Sequence, residues 1–439
     1  MADAPRKSRL PSDIWSFPPA LLKPDARRTV LRPFMPDYPP AYATADGDRT
    51  RNIIARVLRE NEATLSFGMQ RLSDLTDKRH RNGRKVLLRR FDELASFVPA
   101  GATLDERHKL LIGAIFSEEY SFEAAALFNP RIVRHWDQSG VEPGAIRFIM
   151  SLRGIGEGHI SSVTFRTGMW LADGQVIIDP PSPYAAPPII APMEDQPDEA
   201  AIRLHFEDCH DLSESVLFPV APSQRQGIED LRLVAFTQDD ETTGYLGTYT
   251  AFSGSAIRPE MLSTSEFLHF SMRPLSGKVA VNKGMALFPR KIGGRYAMLG
   301  RQDNENIWLM YSDDLYQWDE AQKLLGPRYP WEVVQMGNCG SPMEIDEGWL
   351  VMTHAVGLMR NYTIGACLLD RHDPSKLLGR ARLPLLAAQS GQRDGYVPNV
   401  VYSCGALLDG RRLLLPYGVA DSHGAIASTT VDRILHYLE

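Results

Sequence analysis

Short β-like runs repeat from about residue 129 to the C-terminus, and this repeat limits the available folds more than any other feature. Each unit begins near a small or amide residue and continues with two strands, a turn and one or two further strands. The five starts are Asn129-Pro130, Glu229-Asp230, Asn282-Lys283-Gly284, Gly340-Ser341-Pro342 and Pro398-Asn399. The last four lie roughly 55 residues apart, in the range of a four-stranded propeller blade. The pattern predicts an all-β fold, a five-bladed β-propeller whose C-terminal segment closes the ring with an early strand.

The sequence before the repeat predicts an N-terminal helical extension. Residues 1–47 carry many prolines and few periodic apolar positions, which indicates an extended arm. Residues 48–128 have apolar side chains at three- and four-residue spacing, which predicts two or three helices. Glu118, Glu119 and Glu123 are assigned to the solvated face of the last helix, over 116–128. The propeller is predicted over residues 129–439, with a Pro-rich, acid-rich insertion from about Asp179 to Gln224 in its first unit.

Composition narrows the class of protein. A chain of 439 residues with 44% hydrophobic content can bury a large core. A net charge of -6 with scattered basic residues argues against a nucleic-acid partner. The four cysteines are far apart and form no metal-binding motif, so no metal is predicted. The N-terminus has no signal-like apolar region and no run of about 18 apolar residues occurs, which predicts a cytoplasmic protein without a membrane partner.

Two adjacent acids, Glu229 and Asp230, open the strongly β-like run that continues through Phe236. Neighbouring side chains of a strand point to opposite faces, so one acid is expected to face the site and the other the scaffold. A carboxylate at the start of a strand, at the mouth of a cleft, suits general acid work because partial burial keeps its proton to a higher pH. The alternative is a solvated turn acid beside an ion-pair arginine.

One polar residue lies near the end of an early strand in each unit, between apolar or small neighbours. These residues are Arg153, Tyr249, Arg301, His354 and Tyr417, the last with Asp421. Matching strand positions of successive blades converge on the central channel of a propeller, so we expect these side chains to share one funnel. Each alone is typical of a hydrogen-bonded structural residue, but core positions would be apolar. As a set they favour a polar binding site.

The charges of this set favour an anion bound beside a polyol. Arginine offers a planar fork to phosphate, lysine a point charge, and histidine a donor whose charge follows pH. Lys283, Arg301 and His354 are the predicted anion site, and the absence of a Walker loop or a GxGxxG after a strand argues against a nucleotide. A sugar needs acceptors for its hydroxyls and a ring for its apolar face, and the residues suited to it are Asp230, Asp421, Tyr245, Tyr249 and Tyr417.

Together these motifs resemble glycoside hydrolase family 130, the inverting β-mannoside phosphorylases. The resemblance covers about residues 119–439 and is clearest in Gly-Ile-Glu-Asp-Leu-Arg, Asn-Lys-Gly-Met-Ala-Leu-Phe-Pro-Arg, Gly-Ser-Pro with a later His, and Asn-Val-Val-Tyr with Tyr-Gly-Val-Ala-Asp. Leu231 stands where the family's Glu-Asp-Pro-Arg motif has proline. The resemblance implies a five-bladed β-propeller and no cofactor, with inorganic phosphate as co-substrate.

The resemblance also implies a role for each motif residue. Asp230 matches the catalytic acid, which the family is thought to use through a sugar hydroxyl. One carboxylic acid suffices because phosphate itself attacks the anomeric carbon, whereas an inverting hydrolase needs a second carboxylate to activate water. The predicted substrate-binding residues are Asn129, Arg153, Glu229, Tyr249, Tyr417 and Asp421, and the predicted phosphate-binding residues are Lys283, Arg301 and His354.

The predicted activity is phosphorolysis of a β-mannoside, a disaccharide or an oligosaccharide, to α-mannose 1-phosphate. Two alternatives stay open: a β-mannoside hydrolase of the same family that uses water, and a glycan-binding propeller without turnover. The basic residues favour phosphate over water. The helical region is expected either to cover the funnel or to form the interface of a homo-oligomer.

Overall fold

The computed structural model describes residues 13–36, 49–194, 196 and 201–439. Residues 1–12 and 37–47 of the predicted arm lie outside the described residues. The described part of the arm contains two short strands, β1 (Leu21–Leu22) and β2 (Val30–Pro33).

Four α-helices follow the arm in the described part of the chain, where the sequence predicted two or three. They are α1 (Arg49–Val57), α2 (Glu62–Thr76), α3 (Gly83–Glu93) and α4 (Glu106–Ile115). Two starts are capped: the Asn61 side chain accepts from the Thr64 amide at 3.0 Å, and the Asp105 side chain accepts from the His108 amide at 3.0 Å. Such caps satisfy N–H groups that a helix start leaves unpaired. None of the helices in the described ranges is long and apolar enough to cross a membrane.

The helix predicted over 116–128 is wrong. Strand β3 (Ser117–Tyr120) lies there and pairs antiparallel with β2 of the arm. Glu118 forms an ion pair of 2.5 Å with Arg32 on the opposite strand, and Glu119 forms one of 3.0 Å with Arg79. These acids therefore meet arginines from other elements, which spacing along the chain did not reveal.

Glu123 is also not on a solvated face, because its side chain is fully buried. It lies between two arginines, 3.0 Å from Arg28 Nη1 and 2.8 Å from Arg166 Nη2. Arg28 comes from the arm and also donates to the Ser182 carbonyl of the insertion at 3.0 Å. A buried charge of this kind is tolerated only when it is paired, so the cluster holds the arm against the first strands and the insertion.

The rest of the chain is mostly β, which agrees with the all-β character and the N-terminal helical extension of the predicted fold. Its strands fall into five antiparallel sets in chain order, and a parallel pairing of Ser161 with Gly227 joins the first two sets in one ten-stranded sheet. The first set contains β4 (Ala126–Arg134), β5 (Ile146–Ile155), β6 (Ser161–Trp170) and β7 (Val176–Ile178). The insertion contains the hairpin β8 (Ile189–Pro192) and β9 (Ile202–His205). The second set contains β10 (Gly227–Thr237), β11 (Thr243–Phe252), β12 (Ile257–Thr264) and β13 (His269–Pro274).

The remaining three sets have the same antiparallel order. The third contains β14 (Ala286–Leu287), β15 (Tyr296–Gly300), β16 (Ile307–Ser312) and β17 (Glu320–Leu325). The fourth contains β18 (Gln335–Asn338), β19 (Met343–Ile345), β20 (Gly348–Val356), β21 (Tyr362–Leu369) and β22 (Leu377–Arg380). The fifth contains β23 (Val401–Tyr402), β24 (Leu407–Asp409), β25 (Arg412–Val419) and β26 (His423–Thr430), followed by helix α5 (Val431–Leu435).

Two pairings involve segments outside the repeat. The insertion hairpin joins the second set, because β9 pairs antiparallel with β13. The arm joins the fifth set, because β1 pairs with β26 in the register Leu21 to Ala425. An early strand therefore pairs with the C-terminal segment, as the sequence predicted.

The larger apolar cores lie between neighbouring sets. Leu413 and Leu415 of β25 pack against residues of the fourth set, whereas Leu414 between them packs against Ile132 and Phe148 of the first set. This is the two-residue alternation of a strand that is buried on both faces. Other cores join the first set to the second, the second to the third and the third to the fourth.

Candidate active site

The residues at which the five predicted units start share one backbone conformation. Their φ angles lie in the left-handed region: Asn129 (48°), Asp230 (53°), Asn282 (64°), Gly340 (90°) and Asn399 (63°). Asn, Asp and Gly tolerate this region better than other residues. The small or amide residue at each start is therefore explained by backbone geometry, and in the first two sets a β-bulge follows directly.

Four of the predicted site residues form a connected acid cluster: Asn129, Arg153, Glu229 and Asp230. Asn129 Nδ2 donates to Asp230 Oδ1 at 2.8 Å. Arg153 Nη2 donates to Glu229 Oε1 at 2.7 Å, and its Nη1 lies 3.5 Å from Asp230 Oδ1. Within the described residues, Asn129 Oδ1 is buried and accepts no hydrogen bond, so it can accept one from a ligand hydroxyl.

Both acids of the Glu229-Asp230 pair face Arg153, so the expectation that they point to opposite faces is wrong. The alternation of side chains holds for a regular strand. Here the left-handed φ of Asp230 and the register shift between Glu229 and Arg232 interrupt the strand. A β-bulge changes the direction of the side chains that follow it. The carboxylates of Glu229 and Asp230 therefore both approach the guanidinium of Arg153.

The pKa of Asp230 is lowered, whereas the sequence predicted that burial would raise it. Burial raises the pKa of Asp230, but the charge of Arg153, the hydrogen bond from Asn129 and the charge of Lys283 together outweigh it. The net pKa of Asp230 lies below its usual value. The expectation that partial burial keeps a proton on this acid is therefore wrong for the site without ligand.

Asp421 has the opposite shift. It lies after β25 with φ of 51°, and among the described residues its carboxylate forms no ion pair or side-chain hydrogen bond. Burial, followed by the negative charges of Asp230 and Glu229, raises the pKa of Asp421 to about 6. The two aspartates therefore have pKa values on opposite sides of the ordinary one, as is common in active sites.

Asp421→Asn is expected to stabilise the folded protein more at pH 7.5 than at pH 4.5. A carboxyl whose pKa is raised by folding favours the folded state below its unfolded pKa, and this contribution disappears as pH rises through about 6. The variant does not titrate there, so its advantage should grow by roughly 1–3 kcal/mol between the two pH values. Chemical unfolding at each pH measures the difference, with Glu60→Gln as an exposed control substitution. An advantage of equal size at both pH values would contradict the assigned shift.

Lys283 contacts the acid cluster and precedes a glycine that lies beside two arginines. Its Nζ lies 3.7 Å from Glu229 Oε2, and its side chain is 37% exposed. The next residue, Gly284, has φ of 86°, and a Cβ there would lie 3.8 Å from Arg301 Cβ and 3.9 Å from Arg232 Nη2. Two arginines, Arg301 and Arg232, therefore lie beside the residue that follows Lys283. Such a group suits a phosphate.

His354 and Arg301 lie in contact, as the sequence predicted for a shared funnel. Arg301 Nη1 is 3.3 Å from His354 Nε2, and His354 Nδ1 is 3.2 Å from the Asn338 carbonyl oxygen. Burial, followed by the charges of Arg301 and Arg232, holds the pKa of His354 well below its usual value. The ring is therefore neutral, donating from Nδ1 and accepting at Nε2.

This neutral ring corrects the expected role of His354, whose charge does not follow pH near neutrality. It orients Arg301 instead of adding a positive charge. In the described part of the chain, Arg301 Nε is buried and has no hydrogen-bond partner, so a donor is available to an anion.

Tyr249 and Tyr417 do not belong to the site. The Tyr249 hydroxyl donates to Glu260 Oε2 at 2.5 Å, and Tyr417 is fully buried with its hydroxyl 3.0 Å from Gln392 Nε2. In the register of the second set, Thr250 pairs with Glu229, just as Arg153 pairs with Phe128 in the first. Thr250 therefore holds the position in the second set that Arg153 holds in the first. Tyr249 is one residue away and faces the core, because successive side chains of a strand point to opposite faces.

The sequence did not identify Arg232, Asn338 and Tyr402 as site residues. Arg232 is buried and donates to the Asn338 carbonyl at 2.9 Å and to the Tyr402 hydroxyl at 2.5 Å. Asn338 Nδ2 donates to the Gly284 carbonyl at 2.8 Å. The sequence does contain a signal for Arg232. An arginine stands two positions after the first residue in both Asn129-Pro130-Arg131 and Asp230-Leu231-Arg232.

Carboxylates, amides and arginines from different sets thus lie close together, an arrangement that suits a polar or charged ligand. Among the described residues, no group of three His, Cys, Asp or Glu side chains could hold a metal ion. The model of glycoside hydrolase family 130, described as beta-1,4-mannooligosaccharide phosphorylase, matches residues 203–439. The chain belongs to glycoside hydrolase family 130, as its motifs predicted.

Relatives of this chain are mannoside phosphorylases by name. It is 40% identical over 216 residues to the 1,2-beta-oligomannan phosphorylase of a Thermoanaerobacter species, covering 48% of this chain and 71% of that enzyme. It is 32% identical over 232 residues to the beta-1,2-mannobiose phosphorylase of Listeria innocua, covering 51% and 63% of the two chains. The solved complex of beta-1,2-mannobiose phosphorylase from Listeria innocua with beta-1,2-mannobiose has a TM-score of 0.51 at 21% identity, over 72% of this chain and 92% of that one. At this sequence identity, the similarity to the solved structure supports the fold alone.

Proposed function

We propose that this protein is an inverting glycoside phosphorylase that cleaves a β-mannoside with inorganic phosphate to give α-mannose 1-phosphate, reversibly. The observation that carries this proposal is that the acid cluster and a group of cationic side chains lie close to each other. Lys283 lies 3.7 Å from Glu229 of the acid cluster, and the next residue, Gly284, lies beside Arg301 and Arg232. An acid for the leaving group and a cationic site for phosphate are the two parts that phosphorolysis requires. The names of the relatives support the same substrates.

We also propose that the five antiparallel sets are the blades of a β-propeller. Each pair of neighbouring sets shares an apolar core, and the fifth shares one with the first. Backbone hydrogen bonds also join the first and fifth sets, from the Leu127 amide to the Ser422 carbonyl at 3.0 Å and from the Cys404 amide to the Pro130 carbonyl at 3.1 Å. The proposed parts are the arm over 1–47, the helical region over 48–128 and the catalytic propeller over 129–439.

In the proposed reaction, phosphate oxygen attacks the anomeric carbon as the bond from that carbon to the glycosidic oxygen breaks. Asn129 and Arg153 hold the mannosyl ring, and Asp421 accepts from its hydroxyls. Arg301, oriented by His354, and Lys283 hold the phosphate on the ring face opposite the leaving group, so a β-linkage becomes an α-phosphate. The leaving oxygen gains the proton of Asp230, and the proton that hydrogen phosphate loses on becoming the ester returns Asp230 to its acid form, so the protons balance over one turnover.

Asp230 is the proposed acid in this step, acting directly or through a sugar hydroxyl. In the site without ligand its cationic neighbours lower its pKa. A phosphate dianion next to Lys283 and Arg301 offsets their charge and adds a negative one, which raises the pKa of a nearby carboxyl. Binding of phosphate thus loads Asp230 with the proton that the leaving group needs.

Product analysis by NMR tests the activity. A β-mannoside in phosphate buffer is expected to give α-mannose 1-phosphate as the main early species, and little free mannose without phosphate. No second carboxylate is assigned to activate water, so hydrolysis should be slow. Neither a cofactor nor a metal is proposed, so the rate should survive a chelator. Free mannose formed at the same rate with and without phosphate would favour the hydrolase, and binding without any product would favour a glycan-binding protein.

A further inference from the structure

Two loops beside the site share an unusual backbone. Between β5 and β6, Gly158 and His159 have φ of 69° and 59°; between β20 and β21, Met359 and Arg360 have φ of 52° and 56°. This conformation is disfavoured for residues that carry a Cβ. Packing does not explain it in the second loop, where Met359 is 91% exposed. Strained residues of this kind concentrate at ligand-binding sites.

Tyr396 lies at the same end of the sheets, in the connection between the fourth and fifth sets. It is 68% exposed, and its ring centroid lies 4.9 Å from that of His159. The Val397 amide donates to the Ala420 carbonyl at 3.0 Å, which places Tyr396 beside Asp421. The contact between Tyr396 and His159 therefore spans the edge of the site between the fifth and first sets.

Arg360 belongs to the same region, because two residues further on the Tyr362 amide donates to the Asn399 carbonyl at 3.1 Å, in the connection that carries Tyr396. The charge of Arg360 also lowers the pKa of Asp421. An exposed aromatic ring, an imidazole and a guanidinium thus lie in the same region as Asp421, which is proposed to bind the mannosyl ring. A pyranose has an apolar face that packs on an aromatic ring and hydroxyls that bond to neighbouring polar groups. The arrangement suits a second sugar, outside the one that reacts.

We infer that Tyr396 and His159 form the platform on which the leaving-group sugar of the β-mannoside stacks, with Arg360 donating to its hydroxyls. This inference rests on the proposed function, in which the same sugar is the acceptor of the reverse reaction. The platform lies at the outer edge of the site, so it should act on the acceptor and leave the phosphate site alone.

Reverse phosphorolysis tests it, with α-mannose 1-phosphate as donor and mannose or mannobiose as acceptor. Tyr396→Ala should raise the KM for the acceptor about tenfold or more, while the KM for α-mannose 1-phosphate stays within about twofold. His159→Ala should also raise the KM for the acceptor, and it replaces Tyr396→Ala as the test if that variant does not fold. Tyr396→Phe should recover most of the acceptor affinity, because the stacking ring is kept.

Phe67→Ala is the matched control, since Phe67 is an equally exposed aromatic residue, at 67%, on helix α2. Its acceptor KM should equal that of the wild type. An unchanged acceptor KM in Tyr396→Ala, or an equal rise in both KM values, would overturn the platform. A wild-type protein that releases no phosphate from α-mannose 1-phosphate with either acceptor would overturn the proposed function as well, so the two failures are distinguishable.

Discussion

Asp230→Asn is expected to lower kcat by at least about 10²-fold, because an amide cannot give a proton to the leaving oxygen and general acid catalysis contributes on the order of 10²–10⁴-fold. The fold should persist. An amide oxygen can still accept the 2.8 Å hydrogen bond from Asn129, and Arg153 keeps its 2.7 Å contact with Glu229. Initial rates in phosphate with a β-mannoside, together with a thermal unfolding curve, measure both expectations.

Glu229→Gln is the matched comparison, since it makes the same chemical change at the neighbouring acid. Glu229 contacts Arg153 and Lys283 and is proposed to bind and position rather than to donate the proton. A smaller loss of kcat is therefore expected for Glu229→Gln than for Asp230→Asn. Retention of more than about a tenth of the activity by Asp230→Asn would remove it from the acid role, and a larger loss at Glu229 would transfer that role.

Arg301→Ala is expected to raise the KM for phosphate by roughly 10- to 150-fold, because a hydrogen bond to a charged group contributes about 1.5–3 kcal/mol. Arg301 is 8% exposed, and its buried Nε has no partner among the described residues, so the anion has a prepared donor. The KM for the mannoside should change much less, since that sugar is proposed to lie on Asn129 and Arg153. Rates at varied phosphate and fixed saturating mannoside separate the two effects.

Arg295→Ala provides the arginine control, since Arg295 forms an exposed ion pair of 3.1 Å with Glu320 in the third set. Exposed pairs of this kind contribute little to stability. Phosphate dependence equal to that of the wild type is expected for Arg295→Ala. The same result for Arg301→Ala would place the phosphate site elsewhere.

The starts of the five predicted units were recognisable from the sequence because their cause is local. A left-handed φ favours Asn, Asp or Gly whatever the surroundings, and these residues stand at all five starts. The strands were readable for a similar reason, since side chains alternate with a period of two. Asn129, Asp230 and Arg153, predicted from these patterns and from the family motif, lie within hydrogen-bond or ion-pair distance of one another.

Only the tertiary structure decided which neighbours each side chain meets. Register brings Thr250 rather than Tyr249 opposite Glu229, and a shift of one residue is invisible in a run of alternating strand residues. The arginines around Glu118 and Glu123 come from the arm and from β6, so the strand and the buried cluster at 117–123 were not recognisable from local spacing.

Protonation likewise depends on tertiary neighbours. Arg153 and Lys283 lower the pKa of Asp230, whereas Asp230 and Glu229 help to raise the pKa of Asp421. Arg301 and Arg232 help to keep His354 neutral. The sequence determined which titratable residues are present and near which strand ends they lie. Their charges depend on burial and on cations brought together from different sets, because Coulomb interactions act through space between residues that are distant along the chain.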